Sequence, residues 1–365
     1  MHLQRLLLTD FKNIRSADVT FSQRMNCFLG NNGAGKTNLL DAMHYLSMTR
    51  SYFGQADTRA IFFGAPFFSI SGYYFFNHAP VEHIVCVTES NGNKSVKRNG
   101  KNYDRFSEHL GLLPLVMVSP SDTLLIHASA EERRRFMNAL LSQIDTKYLS
   151  VLQQYNKILS QRNHYLKQGG CTSEMTEILD VQLSAKAHVI YEKRAALCRQ
   201  LVPEAEKYYS MLSGDAEALT LSYHSDLDQA SLELLLKESI GRDQMVGFTS
   251  RGIHRDEVDF LLNGQPIKRY GSQGQQKTFL IALKLAQFEV MKQRSGIAPI
   301  LLLDDVFDKL DRNRVSRLVQ LVVQDHFGQI FITDCNKSGI EDVIRQCTDE
   351  YAFYYVHNGE VSDET

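Results

Sequence analysis

Eight consecutive residues, Gly30-Asn31-Asn32-Gly33-Ala34-Gly35-Lys36-Thr37, satisfy the pattern G-x-x-x-x-G-K-[ST], whose residue types suit the capture of a polyphosphate. The glycines let backbone N–H groups approach phosphate oxygens, Lys36 brings a point charge to the β and γ positions, and Thr37 offers a hydroxyl to Mg2+. A second constellation, Ile300-Leu301-Leu302-Leu303-Asp304-Asp305, sets two carboxylates behind four apolar residues. Such a run reads as a strand buried on both faces, ending at the sheet edge where phosphates bind. Asp304 then holds Mg2+, directly or through water, and Asp305 orients or deprotonates an attacking water. The competing reading is an Asp pair capping the next helix. A third segment, Tyr270-Gly271-Ser272-Gln273-Gly274-Gln275-Gln276, is polar and glycine-broken and opens a long helix, whose first N–H groups attract anions. On spacing alone, an ordinary polar loop and cap is the simpler account of it.

These residues need elements to position them. Leu6–Leu8 and Asn26–Leu29 read as short apolar strands, the second running straight into the glycine-rich turn. Phe68–Phe76 and His83–Thr88 are rich in aromatic and β-branched residues, and Asn91-Gly92 and Asn99-Gly100 mark hairpin turns. From residue 129 the period becomes helical. Ser129 with Glu132 forms a capping-box pattern, and apolar residues at 136, 140, 144, 148, 152, 155 and 159 predict one long amphipathic helix ended by Gly169-Gly170. A second stripe, from Leu179 to Leu201, runs to Pro203, so an antiparallel helical hairpin is expected. Beyond it come a strand at Leu219–Tyr223, a helix near 229–240, and strands Val258–Leu262 and Gln265–Lys268 about Asn263-Gly264. A helix near 274–293, the strand Ile300–Leu303, a helix near 311–324 and the strand Gln329–Thr333 give the alternation of a parallel sheet. Lys36 and Asp304 stand 268 positions apart, so the phosphate site brackets everything between. The expected organisation is one α/β domain, 1–118 with 244–365, interrupted by a mainly helical domain, 119–243.

The composition narrows the class. In 365 residues, 43% are hydrophobic and 22% charged, which excludes wholesale disorder. A net charge of −2 excludes a chain held on nucleic acid by gross positive charge, so a polyanion must meet a local basic patch. Residues 1–130, 131–200 and 241–294 are each net basic, whereas 201–240 and 295–365 are net acidic. The six cysteines form no C-x-x-C pair, which argues against a zinc site or disulfide framework and for a reducing, cytoplasmic setting. No apolar run approaches a membrane span.

The phosphate loop, the Ser-x-Gly-Gln helix start and Leu-Leu-Leu-Asp-Asp, in that order, resemble the ATP-binding-cassette ATPases, in particular their structural-maintenance-of-chromosomes (SMC) branch. Within it the chain is similar to the RecF family. Leu8-Thr9-Asp10-Phe11-Lys12-Asn13-Ile14 resembles the family's opening strand, Ser119-Pro120-Ser121-Asp122 its mid-chain turn, Ser129-Ala130-Glu131-Glu132-Arg133-Arg134-Arg135-Phe136 its Arg-rich helix start, and Gly252-Ile253-His254-Arg255-Asp256-Glu257 a further signature. These matches span residues 3 to about 334. Three departures stand out. Asp305 departs from the wider branch's usual Glu but follows the RecF pattern, a carboxylate one methylene shorter, while Ile253 stands where the family commonly has Pro and Asp334 falls near the usual switch His.

The resemblance implies a P-loop, SMC-head-like ATPase with an inserted helical arm. ATP and Mg2+ would be held by Gly30 to Asn38, with Lys12 beside the nucleotide and Thr37 and Asp304 on the metal. Ser272, Gln273, Gly274 and Gln275 of a second copy would reach the γ-phosphate in trans, with Asp308 and Asp311 at the dimer interface. ATP-driven dimerisation would clamp double-stranded or gapped DNA, RecO- and RecR-like partners would promote RecA loading, and slow hydrolysis would reset the clamp. Candidate DNA contacts are Lys94, Lys97, Arg98, Lys101 and Arg105 on the Asn-Gly hairpins, Arg133, Arg134 and Arg135, and Arg50; for each, the competing reading is a solvated charge or structural ion pair. Rival functions are a transporter's cassette ATPase, disfavoured by Gly-Ser-Gln-Gly-Gln in place of Leu-Ser-Gly-Gly-Gln, and a non-hydrolysing nucleotide-gated scaffold.

Overall fold

The structure, a computed structural model, describes residues 1–76, 80–168, 173–214, 217–307, 310–323, 327–335 and 337–363, with backbone only at Ser173, Arg312, Lys337 and Ser338. The chain divides into two compact units: Met1–Thr123 with Tyr208–Asp215 and Gln273–Thr365, and Leu124–Lys207 with Ala216–Ser272.

The first unit holds two six-stranded sheets. One is antiparallel, in the order Ile14–Thr20, His2–Phe11, Phe67–Phe75, Glu82–Glu89, Lys94–Arg98 and Lys101–Asn102. The expected turns join its last three strands, with Gly92 at φ 90°, Asn99 at 51° and Gly100 at 81°. The other sheet runs Glu360–Asp363, Tyr351–His357, Met25–Leu29, Ile330–Asp334, Ile300–Asp304 and Leu115–Val118. All its pairings are parallel except the terminal hairpin. Every residue of Met25–Leu29, Ile300–Asp304 and Ile330–Asp334 is buried, as strands covered on both faces require.

The helix Lys36–Met48 contacts strands of both sheets, and 11 of its 13 residues are buried. Its sequence therefore shows no clean apolar stripe. Phe21, Phe28, Phe331 and Tyr354 close the core beside it, with Phe21 edge-on to Phe331 at 4.9 Å and to Tyr354 at 5.6 Å. Such pairs contribute about 1 kcal/mol each beyond their burial.

The second unit is mainly helical, with the three-stranded antiparallel sheet Gln265–Pro266, Glu257–Leu262 and Leu219–His224. Four expectations change here. The single helix predicted from 129 is two, Ala130–Ile144 and Thr146–Gln168, because the Asp145 carboxylate accepts the N–H groups of Lys147 and Tyr148 and starts a new helix. The Ser129 side chain makes no cap, and Glu132 instead pairs with Arg135 at 2.7 Å. Pro203 does not end its helix, which runs Ser173–Ser213. The turns beyond Pro203 bury Tyr208, Tyr209 and Leu212, and the Tyr208 hydroxyl donates to Glu289 at 2.6 Å, so packing outweighs the lost backbone bond. The strand expected over Gln265–Lys268 pairs only through Pro266, after which Ile267–Tyr270 turns helical. The turn expected at Gly169-Gly170 lies outside the described residues.

The unit limits also differ from the sequence-based 119–243. Residues up to Ser272 group with the helices because Glu257–Leu262 takes Leu219–His224 as its partner strand.

Candidate functional site

Met25–Leu29 leads directly into the glycine-rich loop, and the helix Lys36–Met48 leaves it. Gly33 and Gly35 lie at φ 79° and 118°, conformations that side chains oppose. No acidic residue occupies the helix's first turn, so its electropositive end stays available to an anion. The buried Lys36 ammonium donates to the carbonyls of Gly30 and Asn31 at 2.9 and 3.0 Å, inside the loop it must serve. Asn31 and Asn32 are exposed and Ala34 is buried.

The strand Ile300–Asp304, parallel to Met25–Leu29 and separated from it by Ile330–Asp334, brings its carboxylates to the same end of the sheet. Thr37 Oγ1 donates to Asp304 Oδ1 at 2.8 Å, which joins the two motifs across 267 positions. Asp304 Oδ1 also accepts from Thr333 Oγ1 at 2.8 Å, and Oδ2 has a 3.4 Å contact with Ser119 Oγ. Burial raises the Asp304 carboxyl above its ordinary range, opposed by these hydroxyl donors. Asp305 has a left-handed backbone, φ 45°, and its Oδ1 is buried without a hydrogen-bond partner. Ligand atoms of Asp305, Asp334 and Cys335 lie within 4.8 Å of one another. The donors around Thr37 and Asp304 are all oxygen, the set that Mg2+ prefers.

Gln273, Gly274 and Gln275 open the helix Gln273–Ser295, with Ser272 exposed just before it. A Cβ on Gly274 would come within 2.9 Å of the Arg314 guanidinium, which also donates to Thr278 Oγ1 at 3.1 Å. Farther along this helix, Lys277 reaches the Asp305 carbonyl at 3.5 Å. Asp311 caps the helix Arg312–Val323, its carboxylate accepting the Arg314 N–H at 2.9 Å. Asp308 lies outside the described residues. Lys12 pairs with the buried Asp41 at 2.6 Å and sits 5.0 Å from the centre of the Phe53 ring, so the protein itself supplies its counter-ion.

The basic candidates fall into two groups. Lys94 pairs with Asp57 at 2.8 Å over the Tyr45 ring, and Arg98 with Glu82 at 2.6 Å. Arg133 pairs with Glu257, Arg134 donates to the Asp256 carbonyl at 2.5 Å, and Arg135 is shared between Glu131 and Glu132. These five are engaged within the chain. Arg50, Lys101 and Arg105 are exposed and Lys97 is partly so, and the described residues give their side chains no hydrogen-bond or ion-pair partner.

The segment Gly252 to Glu257 is a structural node of the second unit. Arg194, fully buried, donates to Asp256 at 2.8 Å and to the Ile253 carbonyl at 2.7 Å. His254 Nε2 donates to the Thr249 carbonyl at 3.0 Å, which leaves Nδ1 to accept the Tyr155 hydroxyl at 2.8 Å.

Sequence reasoning passed over several residues that shape the loop. The Asn13 amide donates to the carbonyls of Gly33 and Ala34 at 3.4 and 3.3 Å and accepts from Asn38 at 2.7 Å. From the other side, Gly359 donates its N–H to Ala34 at 2.8 Å, and a Cβ there would lie 2.3 Å from the Asn13 carbonyl. Asn358-Gly359 is an Asn-Gly hairpin signal like the others and was legible on the same rule.

Comparison with known proteins agrees with this geometry. The profile of the family described as RecF/RecN/SMC N terminal domain matches residues 2–361. The DNA replication and repair protein RecF of Parabacteroides distasonis is 46% identical over 361 residues, 99% of each chain, and that of Bacteroides thetaiotaomicron 44% over 364, covering 100% of this chain and 99% of its own. Among solved structures the chain is similar to the recombination mediator protein RecF with ATP, of the RecFOR pathway, at TM-score 0.89 and 29% identity over 100% of this chain and 98% of that one. An Smc head domain bound to the C-terminal winged-helix domain of ScpA shares the fold at TM-score 0.60 and 16% identity, over 100% and 98%. A profile match over nearly the whole chain and full-length relatives above 40% identity show that the chain belongs to the RecF family of DNA replication and repair proteins.

Proposed function

We propose that this chain is an ATP-dependent DNA-binding protein of recombinational repair, in which ATP joins two copies into a clamp on duplex DNA near single-strand gaps. The observation that carries the reading is the convergence of Lys36, Thr37, Asp304 and Asp305 at one end of a parallel sheet, held by the 2.8 Å bond between Thr37 and Asp304. Gly30 to Asn38 cradle the triphosphate, and Thr37 and Asp304 hold Mg2+, whose charge offsets that of the β- and γ-phosphates. Asp305 orients the attacking water from a carboxylate with an unengaged, buried oxygen. Its short side chain fits slow hydrolysis that DNA stimulates.

In the dimer, Ser272 to Gln275 of the second copy meet the γ-phosphate through a helix start, an attraction lost when that phosphate leaves. Asp311 lies along this contact. The helical unit is the inserted arm, Lys97, Lys101, Arg105 and Arg50 supply phosphate contacts, and RecO- and RecR-like proteins are the partners in RecA loading in the cytoplasm. A relative studied with ATP and belonging to the RecFOR pathway supports the nucleotide and the partners.

Sedimentation with and without ATP and duplex DNA tests nucleotide, dimer and DNA together. The wild type should dimerise on ATP and then retain DNA, and Lys36→Met should do neither. Undiminished ATP-dependent dimerisation by Lys36→Met overturns the reading.

A further inference from the structure

Thr333 stands opposite Asp304 in the parallel register and is fully buried. Its hydroxyl makes two bonds, one to the Asp304 carboxylate and one to the backbone of Asp305. It donates to Asp304 Oδ1 at 2.8 Å and accepts the backbone N–H of Asp305 at 3.0 Å. With Thr37 on the same oxygen, Oδ1 takes two hydroxyl donors, and among the described residues Oδ2 keeps only the 3.4 Å contact with Ser119. The second bond holds the peptide of Asp305 where its backbone is left-handed, φ 45°, a conformation that residues with a Cβ rarely adopt.

We propose that Thr333 is a positioning residue: a single hydroxyl sets the orientation of the metal-side carboxylate and the backbone of the water-side carboxylate, and so couples the two. This rests on the nucleotide-site reading above. A methyl in place of the hydroxyl keeps the β-branched shape the strand needs but removes one of the two hydroxyl donors that hold Asp304 Oδ1 and leaves the Asp305 N–H unpaired. Losing such an outer partner typically costs 10- to 100-fold in metal affinity or activity. Packing alone makes a different demand, since it depends on the Thr333 methyl and not on its oxygen.

The test uses the full chain as wild type, Thr333→Val and Thr333→Ser. Three quantities are read: Mn2+ affinity by electron paramagnetic resonance with a non-hydrolysable ATP analogue, affinity for that analogue without divalent metal, and ATP turnover with Mg2+. Thr333→Val should bind the metal-free analogue as the wild type does, yet lose about tenfold or more in both Mn2+ affinity and kcat. Thr333→Ser should recover most of both. An active wild type with an unaffected valine variant, or a serine variant as impaired as valine, overturns the role of Thr333 alone; a wild type that neither binds nor turns over ATP overturns the nucleotide-site reading with it. Should the valine chain fail to fold, Thr333→Ala set against Thr333→Ser reads the same contrast.

Discussion

Asp304 gathers hydroxyls from three separate places, Thr37 in the first turn of a helix, Thr333 on the neighbouring strand and Ser119 just past Leu115–Val118, which is how a buried carboxylate avoids standing alone in a low dielectric. Buried titratable groups elsewhere meet the same demand with different chemistry. Burial pushes the His254 imidazole down to about 4, and that of His44 likewise to about 4. Both are therefore neutral in the folded chain at physiological pH. As pH falls below the ordinary value of 6.5, the unfolded chain takes up protons that the folded one refuses until about pH 4. Stability should thus be lost on acidification through that window, at roughly 1 kcal/mol per pH unit for each group. Urea denaturation at pH 7 and pH 5 checks this. In His254→Gln the loss between the two pH values should shrink by about 1–2 kcal/mol, whereas an unchanged loss would show that His254 titrates freely in the fold.

At the level of elements, local signals decided some boundaries and tertiary contacts others. Asp145 splits a continuous apolar stripe because its carboxylate caps the helix behind it and pairs with Lys193 at 2.8 Å. Asp145→Ala should cost about 1 kcal/mol, the usual worth of such a cap, read as a lower denaturation midpoint with unchanged slope. The phosphate loop and the Leu-Leu-Leu-Asp-Asp strand were legible because their chemistry needs fixed residue types at fixed spacing. Thr333 and Asn13 were not, since one threonine or asparagine carries no spacing signal until the strand register or the neighbouring turn sets it beside Asp304 or Gly33. Pro203 misled for a related reason: a rule about backbone hydrogen bonds could not foresee Tyr208, Tyr209 and Leu212 being buried five to nine residues later. The Ser129-Glu132 pattern failed because Arg135 competes for the glutamate.

For the whole molecule, a net charge of −2 hides a sorting of its cations. Lys94, Arg98 and Arg133 to Arg135 are engaged by partners inside the chain, whereas Lys97, Lys101, Arg105 and Arg50 are presented to solvent. Changing both Lys97 and Lys101 to Ala should weaken duplex binding for every sequence alike and lower the slope of log affinity against log salt by about two. An unchanged slope would remove them from the DNA surface. By contrast, Lys94→Ala should lower stability, because it strips Asp57 of its counter-ion.

The brace on the phosphate loop has a further consequence, in time rather than space. Residues 351–355 pair with Met25–Leu29, and the hairpin turn that follows them sets Gly359 against Ala34, yet Tyr351 follows Thr37 by 314 positions. At synthesis rates of about 5–20 residues per second, the loop waits roughly 15–60 s for that contact. Until then the nascent chain carries the loop's residues without the hairpin that braces it, so the site is completed late however early its motif is made.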